Sequence, residues 1–403
     1  MAYDVIVVGA RCAGAPTAML LARRGYRVLV VDRMSLPGDL RLSTHLVWQP
    51  GADLLARWGL LDQIKASGCP PLSRISLDFG PVMLQGRPPS AGVADAYAPR
   101  RRVLDEVLFA AATDAGAEVR DRCTLEDLVW EGDRVTGVGL RADRSSFTET
   151  ASIVVGADGI QSRVARLVGA PEYNTQPPLE GTYFSYWSDV PIDGIDVHIR
   201  EGRACYGWNT NDDLSLVGAN WVSADYGAVR GNVDEQFFSV IDAVTPLLGE
   251  RLRGGTRVDH WIGTTVGGYY RKPFGPGWAL VGDAGYNKDP STAQGITDAF
   301  RDAELLADAI DEGLSGRRPM TDALGAYETA RNEASNALYA LTNQLAAFEA
   351  PDPQMQQLLG ALVGNAEDTN RFLGVLAGTV RVEEFFAPDN LARIFAAVDS
   401  PGG

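Results

Sequence analysis

Residues 3–16 read YDVIVVGARCAGAP, and this stretch decides the fold. The apolar run Tyr3–Val8 has the length and composition of a strand that is buried on both faces. A glycine-containing turn at residues 9–14 follows directly, and the Ala-, Met- and Leu-rich residues 13–24 favour a helix. A second apolar strand at residues 27–31 completes the unit. Strand, turn, helix and strand in this order predict an α/β domain with a doubly wound parallel sheet.

The turn has the chemistry of a dinucleotide site. Its free backbone N–H groups and the start of the following helix favour the anionic pyrophosphate. Asp32 ends the second strand, where an acidic side chain accepts hydrogen bonds from a ribose hydroxyl. Arg11 stands where the motif usually has its second glycine, so it is expected either to contact the phosphate or to displace it slightly.

Two further glycine motifs occur later, each after an apolar, strand-like run. The first is Gly156-Ala157-Asp158-Gly159, and the second is Gly282-Asp283-Ala284-Gly285. An amphipathic helix is predicted over residues 297–310, after the second motif. Alone, each motif is typical of an ordinary turn. Together with the dinucleotide turn, and in this order, the motifs are specific.

The three motifs together resemble the FAD-dependent class A monooxygenases with the p-hydroxybenzoate hydroxylase fold, over about residues 3–312. The resemblance extends to geranylgeranyl-reductase-like flavoproteins and halogenases with the same scaffold, and it implies non-covalently bound FAD. The positions that match the family's cofactor-binding residues are Gly9, Ala13, Gly14, Asp32, Arg33, Arg41, Arg101, Asp158, Asp283, Gly295 and Ile296. By this resemblance, Arg101 contacts the FAD phosphates and Asp283 the ribityl chain. Gly295 and Ile296 begin a helix at the pyrimidine end of the flavin.

Domain boundaries are predicted from a change in the residue pattern along the chain. Aromatic and polar side chains alternate within residues 171–272, which is typical of a half-solvated antiparallel sheet. We predict an FAD-binding domain from residues 1–72, 99–170 and 273–318, an inserted substrate domain from residues 73–98 and 171–272, and a helical C-terminal region from residue 319 to residue 403. Single helices are predicted over residues 54–65 and 233–248.

Composition excludes several classes of function. The chain has 403 residues and a formal net charge of −16, which disfavours nucleic acid and anionic membranes as partners. Four scattered cysteines and three scattered histidines predict neither a disulfide framework nor a metal site. No apolar run reaches the roughly 18 residues of a membrane span, and no basic leader is present, so the expected location is the cytoplasm. The oligomeric state is left open.

Candidate substrate and catalytic residues are fewer. Tyr206, Trp208 and Trp221 fall in the predicted sheet and are candidates for a flat-walled pocket that takes a ring-shaped substrate, with core packing as the alternative. His45 follows the loop that approaches the flavin in the family. It is a candidate proton donor or substrate partner, with a structural histidine as the alternative.

The resemblance implies an NAD(P)H-dependent monooxygenase that uses molecular oxygen to hydroxylate an aromatic or polyketide-like molecule through a flavin C4a-hydroperoxide. Because the chain has one dinucleotide turn, which FAD takes, NAD(P)H is expected as a transient reductant. The alternatives are an FAD-dependent reductase of isoprenoid double bonds and a non-redox flavoprotein of the kind found among cyclases. Tyr and Trp in the predicted sheet favour hydroxylation, since a prenyl reductase should have an aliphatic tunnel.

Some positions depart from the family pattern. Arg41 stands in the loop where halogenases have a catalytic lysine, and Trp208-Asn209-Thr210 does not match their tryptophan motif, so halogenation is disfavoured. Ala165 replaces the arginine that usually follows the Asp-Gly motif, which makes nicotinamide use less certain than FAD binding. Lys288 and Asp289 are interpreted as a surface ion pair or loop support, with a polar contact near the flavin or substrate as the sharper alternative.

Overall fold

Strands and helices follow one another along the chain, and the structure, a computed structural model, describes residues 3–36, 38 and 42–399. Arg41 lies outside the described residues. The strands are β1 Tyr3–Val8, β2 Val28–Val31, β3 Pro71–Leu72, β4 Ile75–Asp78, β5 Met83–Gly86, β6 Ala96–Tyr97, β7 Glu118–Arg120, β8 Cys123–Glu131, β9 Arg134–Ala142, β10 Ser145–Gly156, β11 Glu172–Gln176, β12 Glu180–Ser188, β13 Ile195–Arg200, β14 Arg203–Asn209, β15 Ser215–Val222, β16 Thr256–Arg257, β17 Ile262–Thr264, β18 Gly268–Arg271, β19 Phe274–Gly275, β20 Trp278–Leu280 and β21 Tyr286–Asn287. The helices are α1 Gly14–Arg23, α2 Gln49–Arg57, α3 Leu61–Ala66, α4 Arg101–Asp114, α5 Arg163–Leu167, α6 Ser223–Val229, α7 Val233–Val244, α8 Pro246–Gly254, α9 Gly295–Leu314, α10 Met320–Ala346, α11 Pro353–Leu362, α12 Ala366–Ala377, α13 Val382–Phe385 and α14 Pro388–Asp399. Two short 3-10 turns, Gly282–Ala284 and Pro290–Thr292, precede α9.

The first sheet has a parallel core in the order β20-β10-β1-β2-β7, with β19 antiparallel at one edge. The predicted α/β fold is therefore confirmed. Helices α1, α4 and α9 cover one face, and the last four residues of β1 are buried between the two layers. The other face packs on the β8–β9 hairpin, which continues antiparallel into the first half of β10.

The second sheet has the order β16-β12-β15-β14-β13-β4-β5, and β17 also pairs with β12. Its pairs are antiparallel except for the parallel pair of β4 and β13, so the predicted antiparallel insertion is confirmed. The expectation that one face is solvated is wrong. One face packs under α6, α7 and α8, and the other packs against the C-terminal helices, so all but the last residue of β15 are buried.

Two predicted helices are each divided in two. The helical segment at residues 54–65 is interrupted between α2 and α3 by Gly59, whose φ of 79° no helix continues. The segment at residues 233–248 breaks where α7 ends and Thr245 becomes extended, with φ −147°, so that Pro246 can begin α8. The predicted helical character of the C-terminal region is confirmed by α10 to α14.

Candidate active site

The three glycine motifs meet at one edge of the first sheet. Val8 pairs with Gly156, and Gly156 pairs with Leu280, so β1, β10 and β20 end side by side. The backbone continues this register, because Ala157 N–H donates to the Val8 carbonyl at 2.8 Å and Val281 N–H donates to the Gly156 carbonyl at 2.9 Å. Carboxyl ends of adjacent parallel strands form a crevice in which such folds bind ligands.

Close backbone approach explains the small residues in this crevice. A Cβ on Gly9, whose φ is 105°, would lie 2.4 Å from the Ala157 carbonyl oxygen. A Cβ on Gly14 would lie 1.8 Å from the Gly9 carbonyl oxygen, and one on Gly282 would lie 2.7 Å from the Ala13 Cβ. These positions therefore join the motifs to one another, and any larger side chain would separate them.

Asp32 holds the first turn closed. Its carboxylate accepts the Ala10 N–H at 3.0 Å and the Met34 N–H at 2.8 Å, and the side chain is buried. A carboxylate oxygen can accept more than one hydrogen bond, so a hydroxyl group can still join these two. The neighbouring Arg33 is exposed.

Two arginines and one carboxylate lie beside the turn. Arg101, the first residue of α4, is buried and has its Nη2 2.7 Å from Asp105 Oδ1, while Arg11 Nη1 lies 2.9 Å from Asp105 Oδ2. The cluster keeps one net positive charge, which suits a bound pyrophosphate. Asp105 was missed as a site residue, although its position four residues after Arg101 on a helix was the available signal.

Asp283 has an open carboxylate. No described residue hydrogen-bonds its side chain, which is solvent-accessible, although protein surrounds it closely enough for burial to raise its pKa to about 6 against the opposing charge of Arg101. A side chain that solvent can reach although protein surrounds it closely is typical of the lining of a cleft. Asp283 can therefore accept hydrogen bonds from a ligand that enters beside Arg101.

Asp158 differs from Asp283, because its own loop uses its carboxylate. Its Oδ1 accepts the Ser162 hydroxyl at 2.5 Å, and its Oδ2 accepts the backbone N–H groups of Arg163 at 2.6 Å and Val164 at 3.1 Å. Ser162 is the N-cap of α5. Asp158 thus shapes the loop and stabilises the first turn of a helix.

The 20-residue helix α9 begins at the same cleft without a side-chain cap. Gln294, at the N-cap position, instead donates from Nε2 to the Leu376 carbonyl at 2.6 Å. The space where a Gly295 Cβ would lie is open, and the next residue is Ile296. Uncapped N–H groups at the start of a helix stabilise negative charge placed against them.

His45 is buried in a strained backbone conformation. Its φ is 64°, its Nε2 hydrogen-bonds the Tyr186 hydroxyl, and its buried Nδ1 has no partner among the described residues. Burial, together with the charges of Arg101 and Arg100, lowers the pKa of His45 well below its ordinary value. The imidazole is therefore neutral at physiological pH, and its Nδ1 can serve an incoming group.

The structure brings His45 close to two of the three predicted substrate residues. Tyr206 and Trp208 project from the same face of β14 and stack with centroids 5.2 Å apart, and Trp208 Nε1 donates to the Thr44 carbonyl at 3.0 Å. Tyr206 remains half-buried. Trp221 lies on the opposite face of the sheet, in the core under α6 to α8, so it does not join them.

The interpretation of Lys288 and Asp289 as a surface ion pair is wrong. Both side chains are buried, and Lys288 Nζ lies 2.7 Å from Asp298 Oδ2 of α9. Asp289 caps the turn before α9, and its carboxylate lies close enough to Glu180 of β12 for the two groups to interact. The sequence could not show this, because the elements that cover the turn are remote along the chain.

Other kinds of site were also considered. Among the described residues, no group of three His, Cys, Asp or Glu side chains could hold a metal ion. Within the same ranges, no helix is long and apolar enough to cross a membrane. The cysteines in the described ranges are free and buried.

The residues at the cleft fit FAD. A tight turn with Asp32, a net positive cluster, an open carboxylate and an uncapped helix N-terminus occur in the order that ribose, pyrophosphate, ribityl chain and flavin would need. The open carboxylate of Asp283 is the observation that tests this fit, because an accessible acceptor without a protein partner can accept hydrogen bonds from a hydroxyl-bearing ligand.

Comparison with known proteins agrees with this geometry. The family model described as "FAD binding domain" matches residues 2–243. The digeranylgeranylglycerophospholipid reductase of Methanocella arvoryzae is 26% identical over 343 residues, which cover 82% of this chain and 83% of that protein. The flavin-dependent brominase Bmp2 superposes with a TM-score of 0.81 at 18% identity, covering 99% of this chain and 98% of the other. The OxyS anhydrotetracycline hydroxylase from Streptomyces rimosus has a TM-score of 0.72 at 21% identity, covering 95% and 77%.

Proposed function

The chain belongs to the FAD-binding domain family and is an FAD-dependent oxidoreductase, and from this premise we propose that it is an NAD(P)H-dependent monooxygenase of an aromatic or polyketide-like molecule. The observation that carries the proposal is an aromatic wall in which the half-buried ring of Tyr206 stacks on the buried ring of Trp208. The Tyr206 ring lies over Gly218, where a Cβ would be 2.2 Å from the ring carbon that bears the hydroxyl. A ring lying flat on a sheet offers its face to another ring.

Polar groups beside this wall support a ring-shaped substrate with an oxygen substituent. Tyr186 lies on the same face of the second sheet as Tyr206 and Trp208. The guanidinium carbon of Arg100 is 4.4 Å from the centroid of the Tyr186 ring. His45 presents an unpartnered Nδ1 at the same side. A neutral imidazole there can hold or accept a proton from a phenol or an enol.

The chain's own residues have distinct tasks in binding the cofactor. When bound, FAD supplies the electron transfer and the activation of oxygen. Arg101 and Arg11 neutralise the pyrophosphate, and Asp283 accepts hydrogen bonds from the ribityl hydroxyls. The N-terminus of α9 stabilises negative charge at the pyrimidine end by about 0.3–1 kcal/mol, and by more where water is excluded.

The proposed reductant is NAD(P)H, which binds transiently. One turn of the described chain has the strand, turn and helix order of a dinucleotide site, and FAD takes it. Exposed Arg163 lies beside Asp158 and supplies positive charge to a visiting nucleotide. Transient binding at a surface agrees with a cofactor that must leave before oxygen reacts.

Reduction of isoprenoid double bonds is the second candidate, and the observation that favours it is the 26% identity to an archaeal reductase over 82% of this chain. The aromatic wall opposes it, because an extended prenyl chain is better matched by aliphatic side chains. The likeness to a brominase shows a shared fold, so it adds no support for halogenation.

Turnover under labelled oxygen gas separates the two candidates. The FAD-loaded enzyme, NADH or NADPH, and a panel of phenolic and polyketide-like compounds are incubated under ¹⁸O₂, with an anaerobic parallel. We expect one labelled oxygen atom per product and no product without oxygen. An oxygen-independent product with a saturated double bond, obtained from a prenyl substrate, would establish the reductase instead.

A further inference from the structure

Two carboxyl groups face each other where the second sheet meets the turn before α9. Glu180 begins β12, Asp289 precedes the turn at residues 290–292, and the two carboxyl groups are close enough for the charge of Asp289 to act on Glu180. They are 1% and 2% exposed, respectively. Glu180 Oε1 and Asp289 Oδ2 have no hydrogen-bonding partner in the described part of the chain. One proton shared between two neighbouring carboxyl groups would satisfy both of these buried oxygens.

The surroundings do not compensate two negative charges. Neither carboxyl has an ion-pair partner among the described residues, because the adjacent Lys288 is engaged by Asp298. The polar and titratable groups that face the pair are Asn220 of β15, Tyr206 of β14, Tyr339 of α10 and Ser291 of the turn. All of these are uncharged at physiological pH. Double ionisation in this setting is therefore strongly disfavoured.

Titration directions agree with a single proton. Burial, and then the charge of Asp289, raises the pKa of Glu180 well above its ordinary value. Burial raises the pKa of Asp289 to about 6, with hydrogen bonds from Ser291 opposing. Both directions favour a pair that carries one proton at neutral pH.

A hydrogen-bond chain links the pair to the aromatic wall. Asn220 Nδ2 donates to Glu180 Oε2, so Asn220 Oδ1 faces Thr182, whose hydroxyl donates to it at 3.2 Å. The Thr182 oxygen then accepts the Tyr206 hydroxyl at 2.8 Å. On its other side, the pair reaches the turn that ends at the N-terminus of α9. The pair therefore lies between the second sheet and the turn that leads into α9.

We propose that Glu180 and Asp289 hold one proton between them and act as a positioning pair, which keeps the N-terminus of α9 in place against the second sheet for FAD. Loss of the shared proton at alkaline pH sets two carboxylates against each other and separates the turn from β12. The proposal depends on FAD binding and is independent of whether the enzyme hydroxylates or reduces its substrate.

The first experiment is infrared spectroscopy of the holoenzyme, which detects the carbonyl stretch of a protonated carboxylic acid at neutral pH. We expect this band in the wild type and in Glu201→Gln, an exposed control in the turn between β13 and β14. We expect its loss in Glu180→Gln, because the amide replaces the carboxylic acid that burial keeps protonated. A wild-type spectrum without the band at neutral pH would overturn the shared proton.

The second experiment measures the FAD dissociation constant against pH. We expect wild-type and Glu201→Gln affinity to fall about tenfold on the alkaline side, the change that one pKa unit of coupling gives. Glu180→Gln keeps the neutral-pH affinity and loses this alkaline decline, because its amide N–H donates to Asp289 and its oxygen accepts from Asn220, as the protonated acid does. Asp289→Asn, which can still cap the turn, loses the decline as well. An alkaline decline shared equally by the wild type and both amide variants would refute the positioning role.

Discussion

Replacing Asp283 by alanine should weaken FAD binding and at the same time stabilise the FAD-free protein. Its carboxylate has no hydrogen-bonding partner among the described residues, and burial raises its pKa to about 6, so ionised Asp283 costs the folded apoprotein free energy. The same group accepts ribityl hydroxyls when FAD is bound. A charge-assisted hydrogen bond contributes about 1.5–3 kcal/mol. At about 1.4 kcal/mol per factor of ten, the FAD dissociation constant should rise roughly 10- to 150-fold in Asp283→Ala.

Asp158→Ala is the matched control, because it removes the same side chain from the neighbouring motif. Its carboxylate accepts three hydrogen bonds from Ser162, Arg163 and Val164, so its loss should destabilise the apoprotein by about 0.5–2 kcal/mol, as the loss of a helix cap does. Its FAD dissociation constant should change less than that of Asp283→Ala.

The assay has two readouts on deflavinated protein at neutral pH: quenching of FAD fluorescence on titration, and the midpoint of thermal unfolding without FAD. We expect Asp283→Ala to bind FAD more weakly and to melt above the wild type, and Asp158→Ala to melt below it. A larger rise in the dissociation constant for Asp158→Ala, or a lowered apoprotein midpoint for Asp283→Ala, would refute the reasoning.

The purified protein should be yellow, with one FAD per chain that acid precipitation releases into the supernatant; flavin that stays with the pellet would mean a covalent link. No nicotinamide should copurify, and its presence by mass spectrometry would contradict transient binding. The carboxylates of Asp196 and Asp78 lie 3.2 and 2.8 Å from the two ring nitrogens of His198, outweigh burial and raise its pKa. The contribution of His198 to stability is therefore complete below the ordinary histidine pKa of about 6.5 and is lost as pH rises through the folded value. Urea unfolding of wild type and His198→Asn should accordingly converge at alkaline pH, and a constant difference would exclude the effect. Gly218→Val should displace the Tyr206 ring and abolish binding of aromatic ligands while FAD is retained, and unchanged ligand affinity would remove the aromatic wall from the site.

The fold could be predicted because its signals are local. A buried strand, a glycine turn and a helix announce the first sheet within residues 3–24, and the conformations of Gly9 and Gly14 follow from the need for close approach. The faces of the second sheet were harder to predict, because Tyr206, Trp208 and Trp221 all occur in the same pattern of alternating aromatic and polar residues. Trp221 pairs with Arg203, which is an odd number of positions from Tyr206 along β14, so its side chain lies on the opposite face of the sheet. Composition does not show this register.

Contacts between remote segments were the hardest to predict. Asp289 and Glu180 are more than a hundred positions apart, and nothing in either local sequence indicates that they are buried close to each other. Asp289 beside Lys288 suggests an exposed ion pair by proximity alone. The structure contradicts this interpretation, because both side chains are buried. Lys288 pairs with Asp298 of α9, and Asp289 lies beside Glu180 of β12. Prediction from sequence therefore succeeded for the fold class and was incomplete where tertiary packing decides the charge state.

The order of strands in the first sheet also determines at what stage of synthesis the protein can bind FAD. Ile6 pairs with Val154, and Val154 pairs with Trp278, so the cleft is assembled from segments that leave the ribosome far apart in time. Contacts of such long sequence separation form slowly, since a large loop must close before they contribute. A nascent chain that ends before α9 lacks Asp283 or the helix N-terminus beside it, and therefore cannot retain flavin. FAD capture therefore waits until α9 has been synthesised, and the cofactor then holds the chain in its folded state by mass action. Cells short of flavin should accumulate full-length chains that a protease can still attack.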